Sequence, residues 1–156
     1  MSSETRRAHI EAIRQLPAQI AKLVRDLDHE ALSTPFLHGE WTIAQNVHHL
    51  FDSHANSYIR CKLIATEEHP PLKPYDQDAW AALPDASVGD VSVSLAGLHA
   101  LHSRWAYFWE TLPDASFARS GLHPERGAIT LDFLLRVYAE HGLAHIDQIT
   151  RTLAAR

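Results

Sequence analysis

The stretch TLDFLLRVYAEHGLAHIDQITRTL, Thr130 to Leu153, decides the fold. Leu131, Leu134, Leu135 and Tyr138 recur at three- and four-residue intervals, and the same stripe continues through His141, His145, Gln148 and Ile149. That period predicts an amphipathic helix with its apolar side buried. Thr130 is placed as its N-cap, and Asp132 lies in the first turn, where a negative charge suits the helix dipole.

Working backwards, Val91, Leu95, Leu98, His102, Trp105 and Trp109 predict a third helix that starts near Ser87 to Asp90 and reaches Thr111, before Pro113. The segment WTIAQNVHHLFDSHANSYIRCKL opens a second helix, with Thr42 as N-cap and Gln45 three residues on completing a capping box. Ile10, Ile13, Leu16, Ile20, Leu23 and Val24 predict a first helix from about Glu4 to Leu27, with Pro17 as a candidate kink.

The connections between the second and third helices (Glu68 to Gly89) and between the third and fourth (from Pro113 to Ile129) lack a sustained apolar period. Connections beyond about 12 to 15 residues are more often functional covers than passive links. A short helical turn is expected around Gln77 to Ala82, and Tyr75 and Trp80 are candidates to pin this cover over a pocket. No segment reads as an alternating strand. Four amphipathic helices with two long excursions define an all-α protein, a four-helix bundle, within one domain spanning residues 1–156.

Composition narrows the function. The formal net charge is -5 with no basic run, which disfavours nucleic acid as a partner. No stretch approaches the roughly 20 apolar residues of a membrane span, and the N-terminus carries no apolar leader, so a cytoplasmic protein is expected. Cys61 is the sole cysteine, which removes intrachain disulfides and Cys-x-x-Cys metal motifs and leaves histidines and carboxylates as metal ligands. Cys61 itself reads as a small apolar residue of the second helix.

Histidine is the unusual residue, with 12 copies. His141 and His145 are four apart on the inner face of the last helix, which brings their side chains within reach of one ion. The pair alone does not make a site, because a third ligand is needed. The second helix offers His48, His49, Asp52 and His54. Of the adjacent His48 and His49 only one can face the same pocket, since neighbours differ by about 100° around the axis. Three imidazoles leave a coordination position open for water or substrate.

The segments GEWTIAQNVHHLFDSHANSYIRCKL, PYDQDAW, LHSRW, HPERGAITLD and HGLAHI, in this order over nearly the whole chain, resemble the DinB/YfiT-like family, and most of all its YfiT branch of metal-dependent hydrolases related to bacillithiol S-transferases. The resemblance implies a four-helix bundle in which one histidine of the second helix and two of the last hold a divalent metal. Carried onto this chain, the ligands are His49, His141 and His145, with His48 as the alternative to His49. Two departures, a shorter N-terminal segment and Gly142-Leu143 between the last two histidines, leave the triad intact and bear on the substrate.

A divalent ion so held, zinc or nickel, activates a thiol or a water molecule. The resemblance favours a transferase that conjugates a low-molecular-weight thiol to an electrophile, acting as a homodimer on small molecules. The alternatives are a hydrolase of amides or esters at the same site and a non-catalytic helical binding module stabilised by its metal. Candidate catalytic or substrate-orienting residues are Asp52, Tyr58, Arg60 and Arg104, with Asn56 as a further orienting candidate and His123 as a loop histidine that could approach the pocket.

Overall fold

The computed structural model describes all 156 residues. Four long helices form the frame: α1 (Ser3–Val24), α3 (Ile43–Thr66), α6 (Ser92–Thr111) and α7 (Leu131–Ala154). Short helices α2 (His29–Ser33), α4 (Gln77–Ala81) and α5 (Pro84–Ser87) lie in the connections. Helices α1 and α3 each pack chiefly against both α6 and α7, so α1 and α3 occupy opposite corners of the bundle. No helix is long and apolar enough to cross a membrane.

The helix starts follow from local chemistry. Thr42 Oγ1 accepts from the Gln45 amide while the Gln45 side chain accepts from the Thr42 amide, which completes the expected capping box of α3. Thr130 caps α7 through the Phe133 amide. Helix α6 begins at Ser92, later than the sequence indicates, because Pro84 at the first position of α5 starts a separate helical turn and Asp90 then accepts from the Ser92 amide. Helix α1 runs through Pro17 without a break.

The expectation that no strand is present is corrected in the third-to-fourth helix connection. There β1 (Ser120–His123) pairs antiparallel with β2 (Gly127–Thr130) across a turn in which Gly127 takes a φ of 69°. Strands this short show almost no alternation, so only the turn chemistry of HPERG marked them. Leu122 also exchanges backbone hydrogen bonds with the other long connection, donating to the Pro70 carbonyl and accepting from the Leu72 amide. The two excursions are thereby joined to each other.

The core has two apolar parts. One contains Ile10, Ile13, Cys61, Ile64, Trp105, Leu131, Leu135 and Tyr138. The other contains Leu16, Ile20, Ile43, Val47, Leu50, Leu98 and Ile149. Between them each of α3, α6 and α7 contributes polar residues: Ser53, His54 and Ser57 from α3, His102 from α6, and His141 and His145 from α7. The bundle is therefore interrupted midway by a polar layer, most of it buried. Close packing of α1 on α7 in this layer uses Gly142, where a Cβ would come within 2.7 Å of Leu16 Cδ2.

Candidate metal centre

His49 on α3 and His141 and His145 on α7 come together at this layer, with one ring nitrogen of each within 4.8 Å of the others. His141 Nε2 lies 3.4 Å from His49 Nε2 and 3.1 Å from His145 Nε2. Two nitrogens bound to one zinc at about 2.0–2.1 Å in tetrahedral array stand roughly 3.3 Å apart. The spacing fits a single ion.

The hydrogen bonds behind the rings say which nitrogens are bare. Asn46 Nδ2 donates to the Thr42 carbonyl at 2.9 Å, so its Oδ1 faces His145 Nδ1 at 2.7 Å and can only accept. His145 therefore carries its proton on Nδ1 and presents an unprotonated Nε2. Burial pushes the conjugate acid of His145 down to about 4. His49 is pushed down to about 4 by burial and then by His145, and His141 to about 3 by burial and then by His145 and His49. Neutral imidazoles at neutral pH are the form that binds metal.

Aromatic rings wall one side. Trp41 packs 4.7 Å from the His49 ring and stacks on His145 at an interplanar angle of 13°. Beside the triad is a cavity of about 300 Å³ whose wall includes His141, Tyr75, Tyr138, Arg60 and Arg126. A second opening is lined by Trp41, His49, His145 and Gln148. Gln77, the first residue of α4, lines both openings, and Gln45 Nε2 holds α4 through the Ala81 carbonyl. The long connection thus covers the triad. Tyr75 contacts Trp80 at 4.4 Å and brings a shielded hydroxyl without a hydrogen-bond partner to the cavity wall.

The other sequence candidates separate. His48 turns away from the triad, with Nε2 donating to the Val88 carbonyl at 3.0 Å and Nδ1 accepting from Ser94 at 2.8 Å. Asp52 shares a different hollow with His48 and Asp85, and its carboxyl is raised above the usual range by burial and then by Asp85. Arg104 donates to Tyr58 Oη at 3.0 Å, and Tyr58 packs against Trp105 and Phe108, so neither lines the cavity. Asn56 bonds the Asp52 carbonyl. Arg60 and His123 do line the cavity, and Arg60 also donates to the Lys73 carbonyl. Cys61 is buried and its thiol is pushed up to about 12 by burial.

Sequence reasoning did not single out Asn46 or Trp41. Asn46 was visible in principle, standing one helical turn before His49 on the same side of α3. Trp41 lies just before the N-cap, where no helical period applies.

The family model of the DinB superfamily matches residues 12–149. YfiT of Bacillus subtilis is 41% identical over 157 residues, covering 98% of this chain and 88% of that protein. A protein of Bacillus mycoides strain KBAB4 is 44% identical over 141 residues, covering 90% of this chain and 81% of its own length. Both carry names that class them as candidate metal-dependent hydrolases. The solved structure of Bacillus subtilis YfiT, described as a four-helix bundle of unusual topology, superposes with a TM-score of 0.90 over 99% of this chain and 90% of that one.

Proposed function

The chain belongs to the DinB superfamily, and from that premise we propose that it is a metal-dependent transferase joining a low-molecular-weight thiol to an electrophilic carbon. The carrying observation is the convergence of three imidazoles beside an open cavity, with His141 Nε2 3.4 Å from His49 Nε2 and 3.1 Å from His145 Nε2. His49, His141 and His145 are the residues that hold the ion, zinc or nickel. When bound, such an ion supplies Lewis acidity that favours the thiolate of a small thiol at neutral pH.

The chain's own groups define the rest. Arg60 and Arg126 give the cavity wall two guanidinium groups suited to a carboxylate on the thiol or the electrophile. The unpartnered Tyr75 hydroxyl offers a hydrogen bond to a polar substrate atom. Gln77 and α4 restrict water over the triad. In the transfer, the thiol gives up its proton to solvent, sulfur bonds to carbon, and the bond from that carbon to the leaving group breaks with its electron pair going to the leaving group. The same reading assigns a homodimer in the cytoplasm, where small thiols stay reduced; sedimentation of the purified protein tests the dimer.

A hydrolase of amides or esters is the second reading, favoured by the names of the relatives. One assay separates the two. Purified protein loaded with zinc or nickel is mixed with a panel of small cellular thiols and a chromogenic electrophile, and in parallel with esters and amides without thiol. A rate that saturates with one thiol and is lost in His141→Ala supports transfer. Turnover of the ester or amide panel without thiol, with no thiol-dependent rate, overturns it in favour of hydrolysis.

A further inference from the structure

Behind His141 the polar layer continues through two more imidazoles. His141 Nδ1 lies 3.0 Å from His54 Nε2, His54 Nδ1 lies 2.8 Å from His102 Nε2, and His102 Nδ1 lies 2.6 Å from the backbone carbonyl of Ile13. His54 and His102 are both fully buried, with parallel rings 4.9 Å apart. The terminal carbonyl has a specific origin. In α1 the amide that would bind the Ile13 carbonyl belongs to residue 17, and Pro17 has none.

A carbonyl only accepts, so among neutral rings the direction of every bond in the chain is determined. His102 donates from Nδ1 to Ile13, which leaves its Nε2 as an acceptor for the His54 Nδ1 proton. His54 Nε2 then accepts from His141 Nδ1. His141 is left with a bare Nε2, the atom aimed at His49 and His145. Each ring is neutral in this scheme. Burial keeps His102 down at about 4, with the Ile13 carbonyl opposing, and holds His54 well below the ordinary range.

We infer that His54 and His102 are positioning residues, a buried imidazole relay anchored on the carbonyl freed by Pro17, which fixes the tautomer and ring orientation of His141 for metal binding. Backing of a ligand histidine by a hydrogen-bond acceptor is general, and the usual partner is a carboxylate or carbonyl. Here the acceptor is reached through two further histidines, so no negative charge enters the core. A carboxylate in place of His54 would bring an anion against His102 and Tyr138 in a layer closed by apolar clusters on both sides. The relay meets the same need for orientation without that desolvation cost.

This inference rests on the triad as the metal site, yet its test has a part that needs no metal. Long-range proton-nitrogen NMR of the metal-free protein reads the tautomer of each histidine. The expected result is a proton on Nδ1 of His102, His54 and His141. In His54→Leu, His141 should show a mixture of tautomers, and zinc affinity from chelator competition should fall about 10- to 100-fold, with the cobalt absorption spectrum of the site altered. A proton on Nε2 of His141 in the unaltered protein overturns the relay, and this holds even if the variant does not fold. Unchanged tautomers and affinity in a folded His54→Leu protein also overturn it. If the unaltered protein binds neither zinc nor cobalt, the metal reading falls, and the tautomers alone decide the relay.

Discussion

His145 Nδ1 stands 2.7 Å from Asn46 Oδ1, and this contact ties a residue of α7 to the first turns of α3, whose N-cap carbonyl at Thr42 orients the Asn46 amide. The capping box and the candidate ligand are therefore one hydrogen-bonded unit. Asn46→Ala leaves the His145 N–H without an acceptor in a buried site. Its expected effect is a loss of about 10- to 100-fold in zinc affinity, read by competition with a chromophoric chelator.

Metal should stabilise the fold. A ligand at 100 times its dissociation constant that binds only the native state adds about 2.7 kcal/mol. For a chain of this size that corresponds to a rise in Tm of roughly 5 to 10 °C. Thermal melts with zinc and with a chelator should differ by this amount, and His141→Ala combined with His145→Ala should abolish the difference.

Gly142 lies between the two α7 histidines against Leu16, which is almost fully buried. An added methyl has to displace Leu16 from the core, at about 1–3 kcal/mol, against a helix-propensity gain of about 1 kcal/mol. Gly142→Ala should therefore lower Tm by a few degrees. In a Leu16→Ala background the same substitution should raise it, because the methyl then fills space. Melts of the four proteins in the cycle check the sign change.

The pH dependence follows from His102. Its ordinary value is 6.5, and in the folded protein burial brings it down to about 4. Between these values the unfolded chain binds a proton that the folded chain refuses. Stability is therefore full above about pH 6.5 and declines as the pH falls toward 4, by up to about 1.4 kcal/mol per pH unit for this one group. Urea unfolding of the metal-free protein across this range should show a shallower acid decline in His102→Gln, by about one proton.

Much of this arrangement was legible in the chain. Helical periods located the four long helices, and the pair Thr42 and Gln45 marked the start of α3. Both signals arise from neighbours in sequence. The separation of His48 from His49 was also readable in part, since adjacent helical residues point about 100° apart. What was not legible depends on contacts across the bundle. His54 looked like a possible ligand and His102 like one more member of an inner stripe; only their placement 2.8 Å apart makes them a pair. Arg104 and Tyr58 were reasonable substrate contacts by residue type, yet α3 and α6 bring them to each other and away from the cavity. The strands Ser120–His123 and Gly127–Thr130 were too short to express a period.

Cys61 carries a consequence of its own. Soft electrophiles are consumed by protein thiolates, and a protein that admits them to an internal cavity is exposed to self-inactivation. With no exposed surface and its thiol pushed up to about 12 by burial, Cys61 stays protonated at neutral pH. The chain has no other sulfhydryl to be alkylated. Under the proposed transferase reading, the one thiol of this chain is thereby withheld from the electrophile it would otherwise compete for.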